Sequence, residues 1–391
     1  MDLFAEHLAD PEVEAFEPDD SSLKGSVDAE SSPFLTRPAA MTFCLGHEEQ
    51  EALLADLFGK GSLPHALILS GPKGIGKCTF AFRFARYLLK FGKVSEPHDS
   101  LFGGETISFP KSMDVDLQDP VFSRVASGGH GDLLYIERAV DVSKGKEKAS
   151  ITVDSVRKIA PFLRKTSAEG GWRVVIIDDA DTMNAAAQNA ILKILEEPPK
   201  KVVIMLITHR IGELIPTIRS RSRVIGFSPL EKTTLRELLG RQGFVYSPKD
   251  MDLIVAFSEG SIGQALRFAE EEGPELFSEI ASLFSAFPDW NWAVLHRFAD
   301  GFGGPGTEKR YALFTQLLVW IFRTLVFARA RGDASLPEFL RGGGIELMFQ
   351  AVSLERHLGI TDALQGHFAR TDFSNLDKRE TVRSAFLVIN P

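Results

Sequence analysis

Between Cys44 and Phe227 the chain alternates short apolar runs with segments whose apolar residues recur at helical spacing. The apolar runs predict four strands, with the texts HALILS, DLLYIER, WRVVIIDDA and KVVIMLITH. Three of them are apolar at nearly every position, as expected of strands covered on both faces of a parallel sheet. The alternation predicts an α/β fold in which helices cover a parallel sheet.

Three segments between these strands predict helices. CTFAFRFARYLLKF follows a glycine-rich turn, TVDSVRKIAPFLRK begins with the capping candidates Thr152 and Asp154, and NAAAQNAILKILEE stops before two prolines. Proline cannot continue a helix, so this last boundary is well defined. Residues 92–131 are rich in Gly, Ser, Pro and Asp and predict an irregular insertion, whereas VSKGKEKA predicts a solvated loop.

After the text FSPLEKTTLRELLGRQG the strand pattern stops, and the remainder is helical in pattern and rich in Phe and Leu. We divide the chain into an α/β domain at residues 41–227, a small helical domain at 228–272 and a larger helical domain at 273–391. The most apolar segment, YALFTQLLVWIFRTLVFARA, contains Gln316 and Arg323. A membrane-spanning helix requires about 20 nearly uninterrupted apolar residues. This segment therefore predicts a buried helix, and we expect no membrane association.

The net charge of −9 is concentrated at the N-terminus, where residues 1–40 carry ten acidic side chains and two basic ones. This segment lacks a sustained apolar period, which is typical of a disordered tail. It is either a solvated extension or a segment that docks on a basic partner. The start of the chain lacks a signal-peptide pattern, and the only cysteines are Cys44 and Cys78. A cytoplasmic protein without a zinc site is therefore predicted.

A glycine-rich turn that ends in lysine follows the first predicted strand. Its text, GPKGIGK, fits the first seven positions of the phosphate-binding motif G-x-x-x-x-G-K-[ST] and lies between a strand and a helix, as that motif requires. The glycines let backbone N–H groups turn toward phosphate oxygens, and Lys77 adds a full positive charge. A turn that needed glycine only for steric reasons would not need the lysine. The predicted nucleotide-binding glycines are Gly71, Gly74 and Gly76.

The eighth position departs from the motif, because Cys78 stands where Ser or Thr normally binds Mg²⁺. Mg²⁺ is a hard ion that takes oxygen ligands, and a neutral thiol binds it poorly. Thr79 is adjacent, but one step along a helix rotates the side chain by about 100°. Cys78 and Thr79 are thus predicted to lie at a nucleotide site that has lost its usual Mg²⁺ ligand.

The strand text VVIIDDAD supplies the acidic half of such a site. Asp178 takes the position of the acid that holds Mg²⁺. Asp179 follows at the position where most ATP-hydrolysing proteins with this kind of loop have glutamate. The aspartate side chain reaches about 1.5 Å less, and catalytic geometry is sensitive to a displacement of that order. Weak or absent hydrolysis is therefore predicted. For this strand alone, solvated acids at a strand end would be the simpler explanation, but the upstream loop favours a nucleotide site.

Two stretches resemble the core of the bacterial replicative clamp loaders, which are AAA+ ATPases. The texts are WRVVIIDDADTMNAAAQNAILKILEEPP and LITHRIGELIPTIRSRSRVIGF, and AAAQNAILKILEEPP is the most specific part. The resemblance is strong from about residue 45 to residue 227, weaker beyond, and greatest to the delta-prime branch of that family. It implies a RecA-like AAA+ domain at residues 41–227, a helical lid at 228–272 and a helical collar for oligomerisation at 273–391.

The resemblance also implies roles for two side chains. Thr208, at the end of the fourth predicted strand, falls where the family has a sensor of the terminal phosphate. Arg221, in the text SRS, matches the arginine of the family's Ser-Arg-Cys motif, which reaches the ATP of a neighbouring subunit. Such an arginine finger can be worth about 10³ to 10⁵ in rate. Without the resemblance, Arg221 and its neighbouring arginines would be interpreted as a solvated basic edge.

Further departures agree with a loss of catalysis. The text EGSIGQAL has Gly263 where ATP-hydrolysing relatives have a lid arginine that contacts the nucleotide. The four-cysteine zinc module of many relatives is also absent, so the resemblance implies a zinc-free variant. Whether ATP still binds is left open, because the loop backbone and Lys77 could suffice without Mg²⁺.

The resemblance implies a subunit with little or no ATPase activity of its own. It would complete a hetero-pentamer with gamma/tau-like ATPases and a delta-like subunit, donate Arg221 to a neighbouring ATP site, and so help to load the sliding clamp on primed DNA. One alternative is an active AAA+ ATPase, either the motor subunit of the loader or a remodeller. A second alternative is a P-loop kinase or transferase, which the SRS text and the helical C-terminal third disfavour.

Overall fold

The structure is a computed structural model that describes residues 37–93, 109–110, 112–141, 146–332, 336–374 and 376–390. Within these residues the strands are β1 (Ala66–Ser70), β2 (Leu133–Ile136), β3 (Val140–Asp141), β4 (Lys146–Glu147), β5 (Arg173–Ile177), β6 (Val202–Thr208) and β7 (Arg223–Gly226). A parallel sheet has the strand order β2, β5, β6, β1, β7, and β3 pairs with β4 in an antiparallel hairpin. The predicted α/β fold is therefore confirmed.

Helices surround this sheet and continue to the C-terminus. In the α/β part they are α1 (Glu48–Gly59), α2 (Lys77–Phe91), α3 (Pro120–Ala126), α4 (Val153–Arg157), α5 (Ile159–Arg164), α6 (Ala185–Glu196) and α7 (Pro216–Arg221). The later helices are α8 (Lys232–Arg241), α9 (Pro248–Phe257), α10 (Ile262–Glu270), α11 (Gly273–Phe284), α12 (Trp292–Asp300), α13 (Glu308–Ala330), α14 (Gly343–Ala351), α15 (Leu354–Ser374) and α16 (Lys378–Ile389).

The two faces of the sheet bury two separate hydrophobic clusters. Along β1, Leu67 and Leu69 belong to the cluster under α2, whereas Ala66 and Ile68 belong to the cluster on the opposite face. All four side chains have no exposed surface. This alternation is the period of two that a strand imposes on its side chains. Because the strands are parallel, their carboxyl ends meet at one edge, where α/β proteins commonly bind ligands.

Several elements differ from the sequence predictions. The segment TVDSVRKIAPFLRK forms two short helices, α4 and α5, because Pro161 has no N–H to donate to the carbonyl of Arg157. Helix α3 lies in the insertion predicted to be irregular, where the Asp119 carboxylate accepts a hydrogen bond from the Val121 N–H at 2.8 Å. Residues 94–108 and 111 of that insertion, and residues 142–145 of the segment predicted to be a solvated loop, lie outside the described residues.

The helical C-terminal part shares one hydrophobic cluster from Leu230 to Ile389. Helix α13 is long and apolar enough to cross a membrane, yet 56% of its most apolar window is buried inside the protein. Its Trp320 ring packs edge-on against the ring of Phe257 at 5.4 Å. The prediction of a buried helix is therefore confirmed. The boundaries at residues 227 and 272 stay predictions, and the predicted acidic tail lies outside the described residues as far as Thr36.

Candidate nucleotide site and exposed arginine edge

The predicted phosphate-binding loop connects β1 directly to α2. Gly74 and Gly76 have φ angles of 76° and 100°, in the left-handed region that glycine adopts without steric cost. Gly76 is the N-cap residue of α2, and Lys77 begins the helix. The strand, turn and helix predicted from the motif are all present. The loop therefore lies at the carboxyl edge of the sheet, next to the ends of β5 and β6.

The Lys77 ammonium points into the protein. Its Nζ lies 2.7 Å from the carbonyl oxygen of Gly71, 2.5 Å from that of Pro72 and 3.0 Å from Nδ1 of His209. The residue is only 3% exposed. Burial lowers the pKa of Lys77 to about 8, although the neighbouring aspartates act in the opposite direction. An ammonium group has three hydrogens, so this set of three acceptors can use all of them.

Asp179 bonds the second ring nitrogen of His209. Its Oδ1 lies 2.6 Å from His209 Nε2, and its Oδ2 lies 3.0 Å from the Arg138 guanidinium. The hydrogen bond from His209 lowers the pKa of Asp179. Because the Nδ1 of His209 faces an ammonium and its Nε2 faces a carboxylate, the consistent tautomer carries its proton on Nε2. The carboxylate predicted to stand in the general-base position is thus held by two cationic or polar partners.

Asp178 is held by a side chain that the sequence did not single out. The Tyr135 hydroxyl donates to Asp178 Oδ2 at 3.1 Å and lies 3.8 Å from the Cys78 sulfur. The Asp178 Oδ1 accepts the Asp179 N–H at 3.0 Å. Loss of solvation raises the pKa of Cys78 well above its usual range, and burial also raises the pKa of Tyr135. Both groups are therefore neutral at pH 7.

The other predicted site residues lie at the same edge. Thr208 ends β6, is fully buried, and accepts the Arg210 N–H on its Oγ1 at 3.1 Å. Thr79 is half-buried in the first turn of α2. Asp181 is buried and accepts the His209 N–H at 3.1 Å. The structure thus brings the loop, the acids and Thr208 to the same edge of the sheet.

The N-terminus of α10 touches the phosphate-binding loop. The Gly263 N–H donates to the Gly74 carbonyl oxygen at 2.8 Å. A Cβ atom at position 263 would lie 3.2 Å from Gly74 Cα, which is closer than most real Cβ contacts. At Gly263, where the resemblance implies a lid arginine in ATP-hydrolysing subunits, this chain therefore has a backbone contact with little room for a side chain.

Arg221 lies elsewhere, at the C-terminus of α7. Its side chain is 37% exposed and pairs with the Glu196 carboxylate at 3.0 Å. It also donates to the Thr217 carbonyl oxygen at 3.2 Å. Arg219 and Arg223 are exposed on either side. These three arginines therefore form an edge that is accessible to another molecule.

Sequence reasoning missed Tyr135, Arg138 and His209 as members of this site. His209 directly follows Thr208 at a strand end, and that position was the available signal. Tyr135 lies inside β2, and its contact with Asp178 depends on β2 pairing with β5. No local pattern reveals that pairing.

A magnesium-bound nucleotide is the ligand that a phosphate-binding loop of this kind implies. The residues present do not fit Mg²⁺, because the thiol of Cys78 replaces the usual hydroxyl and the carboxylate of Asp178 already bonds Tyr135. Within the described part of the chain, no group of three or more His, Cys, Asp and Glu side chains is arranged to hold a metal ion.

Several proteins that are similar to this chain in sequence are subunits of DNA polymerase III. Residues 46–231 match the family described as DNA polymerase III, delta subunit. DNA polymerase III subunit delta' of Pseudomonas aeruginosa is 35% identical over 172 residues, which cover 44% of this chain and 45% of that protein. The same subunit of Bacillus subtilis is 29% identical over 190 residues, which cover 49% of this chain and 50% of that protein.

More distant matches include another kind of subunit. DNA polymerase III subunit gamma/tau of Mycobacterium tuberculosis is 28% identical over 232 residues, which cover 58% of this chain and 36% of that protein. A DNA polymerase III gamma subunit-related structure from Thermotoga maritima is 18% identical, with a TM-score of 0.40, over 86% of this chain and 98% of that one. This chain spans about half the length of these two delta' subunits and 36% of the length of the gamma/tau subunit.

Proposed function

We propose, from the match of residues 46–231 to the DNA polymerase III delta-subunit family, that this chain is a delta-prime-like subunit of a bacterial clamp loader. It joins gamma/tau-like ATPases and a delta-like subunit in a hetero-pentamer that loads the sliding clamp on primed DNA. It contributes little or no ATP hydrolysis of its own. The cytoplasmic location expected from the sequence belongs to the same proposal.

The observation that carries this proposal is the position of Arg221. It ends α7 beside the edge strand β7, and its guanidinium is partly exposed and paired only through surface groups. An exposed ion pair is worth little, so a neighbour's phosphate can compete for this guanidinium. Arginine placed in this way stabilises the charge that develops on a phosphoryl group during transfer.

The chain's own loop supports the second half of the proposal. Cys78 replaces the hydroxyl that binds Mg²⁺, and Asp179 replaces the longer glutamate. Asp179 is in addition bonded to His209 and Arg138. These contacts lower the pKa of the Asp179 carboxyl, which makes it a weak base for the activation of water. We therefore expect hydrolysis at a neighbouring subunit rather than here.

The test is ATP turnover by the purified chain alone and by a loader reconstituted with its ATPase and delta-like partners. We expect no turnover by the chain alone. Substituting Arg221→Ala should lower turnover at the neighbouring site by about a hundredfold or more. Arg219→Ala is the matched control, because it removes another exposed arginine from the same helix.

The opposite outcome identifies the alternative function. Robust turnover by the chain alone, retained in Arg221→Ala and lost in Lys77→Ala, would make this subunit an active AAA+ motor or remodeller. Equal losses in Arg219→Ala and Arg221→Ala would mean that the edge acts through its overall charge and that Arg221 is not a specific finger.

A further inference from the structure

We propose that Tyr135 and His209 are internal substitutes for the ligand of the phosphate-binding loop. Tyr135 stands in for Mg²⁺ and His209 for a terminal phosphate group, so that the loop closes on the protein's own side chains. This inference concerns the site within the chain and does not depend on whether Arg221 serves a neighbour.

The tyrosine lies where the metal ion would be shared. In phosphate-binding-loop proteins the residue after the lysine and the acid at the end of a neighbouring strand hold Mg²⁺ between them. Those positions are Cys78 and Asp178 here, and the Tyr135 hydroxyl contacts both, at 3.8 Å and 3.1 Å. The hydroxyl donates its proton to the carboxylate, and its oxygen faces the thiol. One neutral group thereby connects the two positions that a cation would connect.

The histidine lies between the lysine and the second acid. Lys77 normally bonds the terminal phosphates of a nucleotide. Its ammonium here reaches His209 Nδ1 at 3.0 Å, and His209 Nε2 reaches Asp179 at 2.6 Å. The imidazole accepts from the cation and donates to the anion, which leaves neither charge without a partner. Because Lys77 is almost fully buried, an unpartnered ammonium would be costly at this place.

The contact with α10 completes the closed arrangement. The Gly74 carbonyl oxygen, in the middle of the loop, accepts the Gly263 N–H at 2.8 Å. Two further loop carbonyls, of Gly71 and Pro72, accept from Lys77. The carbonyls thus turn toward internal donors. A terminal phosphate could bond Lys77 only after the contact between Lys77 and His209 was broken, and the apparent affinity for a nucleotide falls by the fraction of molecules in which it is broken.

The direct test is isothermal titration calorimetry of the full chain with ATP, with and without Mg²⁺. We expect no saturable binding up to about 1 mM ATP, which corresponds to a weak standard binding free energy. His209→Ala should gain saturable ATP binding with a Kd of about 0.1 mM or below, at least tenfold under the limit set by the wild type. Adding Lys77→Ala to that variant should abolish the gain. His65→Ala is the control, because His65 bonds the Leu195 carbonyl oxygen in the same domain, away from the loop.

The tyrosine has its own test. Cys78→Thr with Tyr135→Phe, placed on His209→Ala, restores a hydroxyl ligand and removes the group that bonds Asp178. Mg²⁺ should then tighten ATP binding at least tenfold, whereas it should have no effect on His209→Ala alone. Tyr87→Phe is the control, because Tyr87 bonds the Pro110 carbonyl oxygen in another part of the same domain.

A stability measurement covers variants that fold poorly. If the loop is internally ligated, Lys77→Met should lower the midpoint of thermal unfolding by several degrees in the absence of any nucleotide, since it leaves His209 and two carbonyls without their donor. Lys73→Met, an exposed lysine of the same loop, should not.

Two results would overturn the proposal. One is tight, Mg²⁺-dependent ATP binding by the wild-type chain that requires Lys77. The other is a folded His209→Ala variant that binds ATP no better than the wild type, combined with an unchanged unfolding midpoint in Lys77→Met. Neither result involves a neighbouring subunit, so both are distinct from a failure of the arginine-finger experiment.

Discussion

Two glycines let the phosphate-binding loop and α10 meet backbone to backbone. Gly74 has a positive φ, and a Cβ atom added there would lie 2.4 Å from Ser261 Oγ. That hydroxyl is needed in place, because it caps α10 by accepting the Gln264 N–H at 3.1 Å. The absence of a side chain at Gly74 thus serves both the turn of the loop and the start of α10.

Gly74→Ala should therefore cost more than an ordinary substitution of a left-handed glycine. We expect a loss of about 1 to 2 kcal/mol from the backbone conformation and about 1 kcal/mol more from the displaced cap. Gly128→Ala is the matched control, because Gly128 has a φ of 75° and open space around its missing Cβ. Urea denaturation of the two variants measures the difference. Equal losses would mean that the loop and α10 do not interact in solution.

Individual residues of the site also differ in whether the sequence could predict their role. Lys77 and Asp178 could be singled out because each occupies a fixed position in a strand-loop-helix pattern, and Thr208 could be singled out from the resemblance. Tyr135 and His209 acquire their roles from partners far away in the chain, and those contacts exist only once β2 pairs with β5 and β6 pairs with β1. Chemistry that depends on strand order leaves no local signature.

Among the elements, α13 contains the clearest contrast between buried and exposed apolar residues. Phe322 has no exposed surface and packs near the Phe284 ring at 6.3 Å, whereas Phe327, in the same helix, is 53% exposed. The sequence predicted a buried helix from its composition, but not which of its faces is covered. It missed β7 altogether, because that strand has four residues, three of them exposed, and pairs with β1 alone.

Truncating these two phenylalanines should give very different results. Phe322→Ala should lower the free energy of unfolding by about 3 to 5 kcal/mol, since it removes a ring from a close-packed core. Phe327→Ala should change it by no more than about 0.5 kcal/mol in the isolated chain. Urea denaturation followed by circular dichroism measures both. A large loss in Phe327→Ala would show that this face is covered by the chain's own residues in solution.

At the scale of the whole molecule, the helices after residue 230 form a single packed unit. One hydrophobic cluster connects α8, α9 and α10 with α11 to α16, and Phe257 and Trp320 lie in its middle. His357 on α15 is fully buried in the same region, near the rings of Phe322 and Phe349. Burial, together with the charge of Arg329, lowers the pKa of His357 to about 4.

The stability of the chain should consequently fall in mild acid. Above pH 6.5, the ordinary histidine value, His357 is neutral in both the folded and unfolded states and has no effect. As the pH falls from 6.5 toward 4, the unfolded chain binds a proton that the folded chain excludes, so stability declines by about 1.4 kcal/mol per pH unit for this group. His47 and His130, whose pKa values burial also lowers, act in the same direction.

Urea denaturation at pH 7.5, 6 and 5 measures this slope. His357→Leu should make the slope shallower, whereas His296→Gln, at an exposed position, should leave it unchanged. The idea fails if the slope of His357→Leu equals that of the wild type.

The hydrophobic cluster of the C-terminal helices contains two of the residues responsible for the protein's intrinsic tryptophan fluorescence. The chain has four tryptophans, and Trp290 and Trp320 lie in that cluster, with Trp292 two residues beyond Trp290. Trp172 alone lies in the α/β part, where its ring is 6.0 Å from that of Phe58. Intrinsic fluorescence therefore reports mainly on the helical part, and Trp172→Phe would make that report exclusive. Unfolding curves followed by tryptophan fluorescence and by the far-ultraviolet circular dichroism of the backbone amides would then coincide if the two parts of this chain unfold together, and would differ if they unfold in sequence.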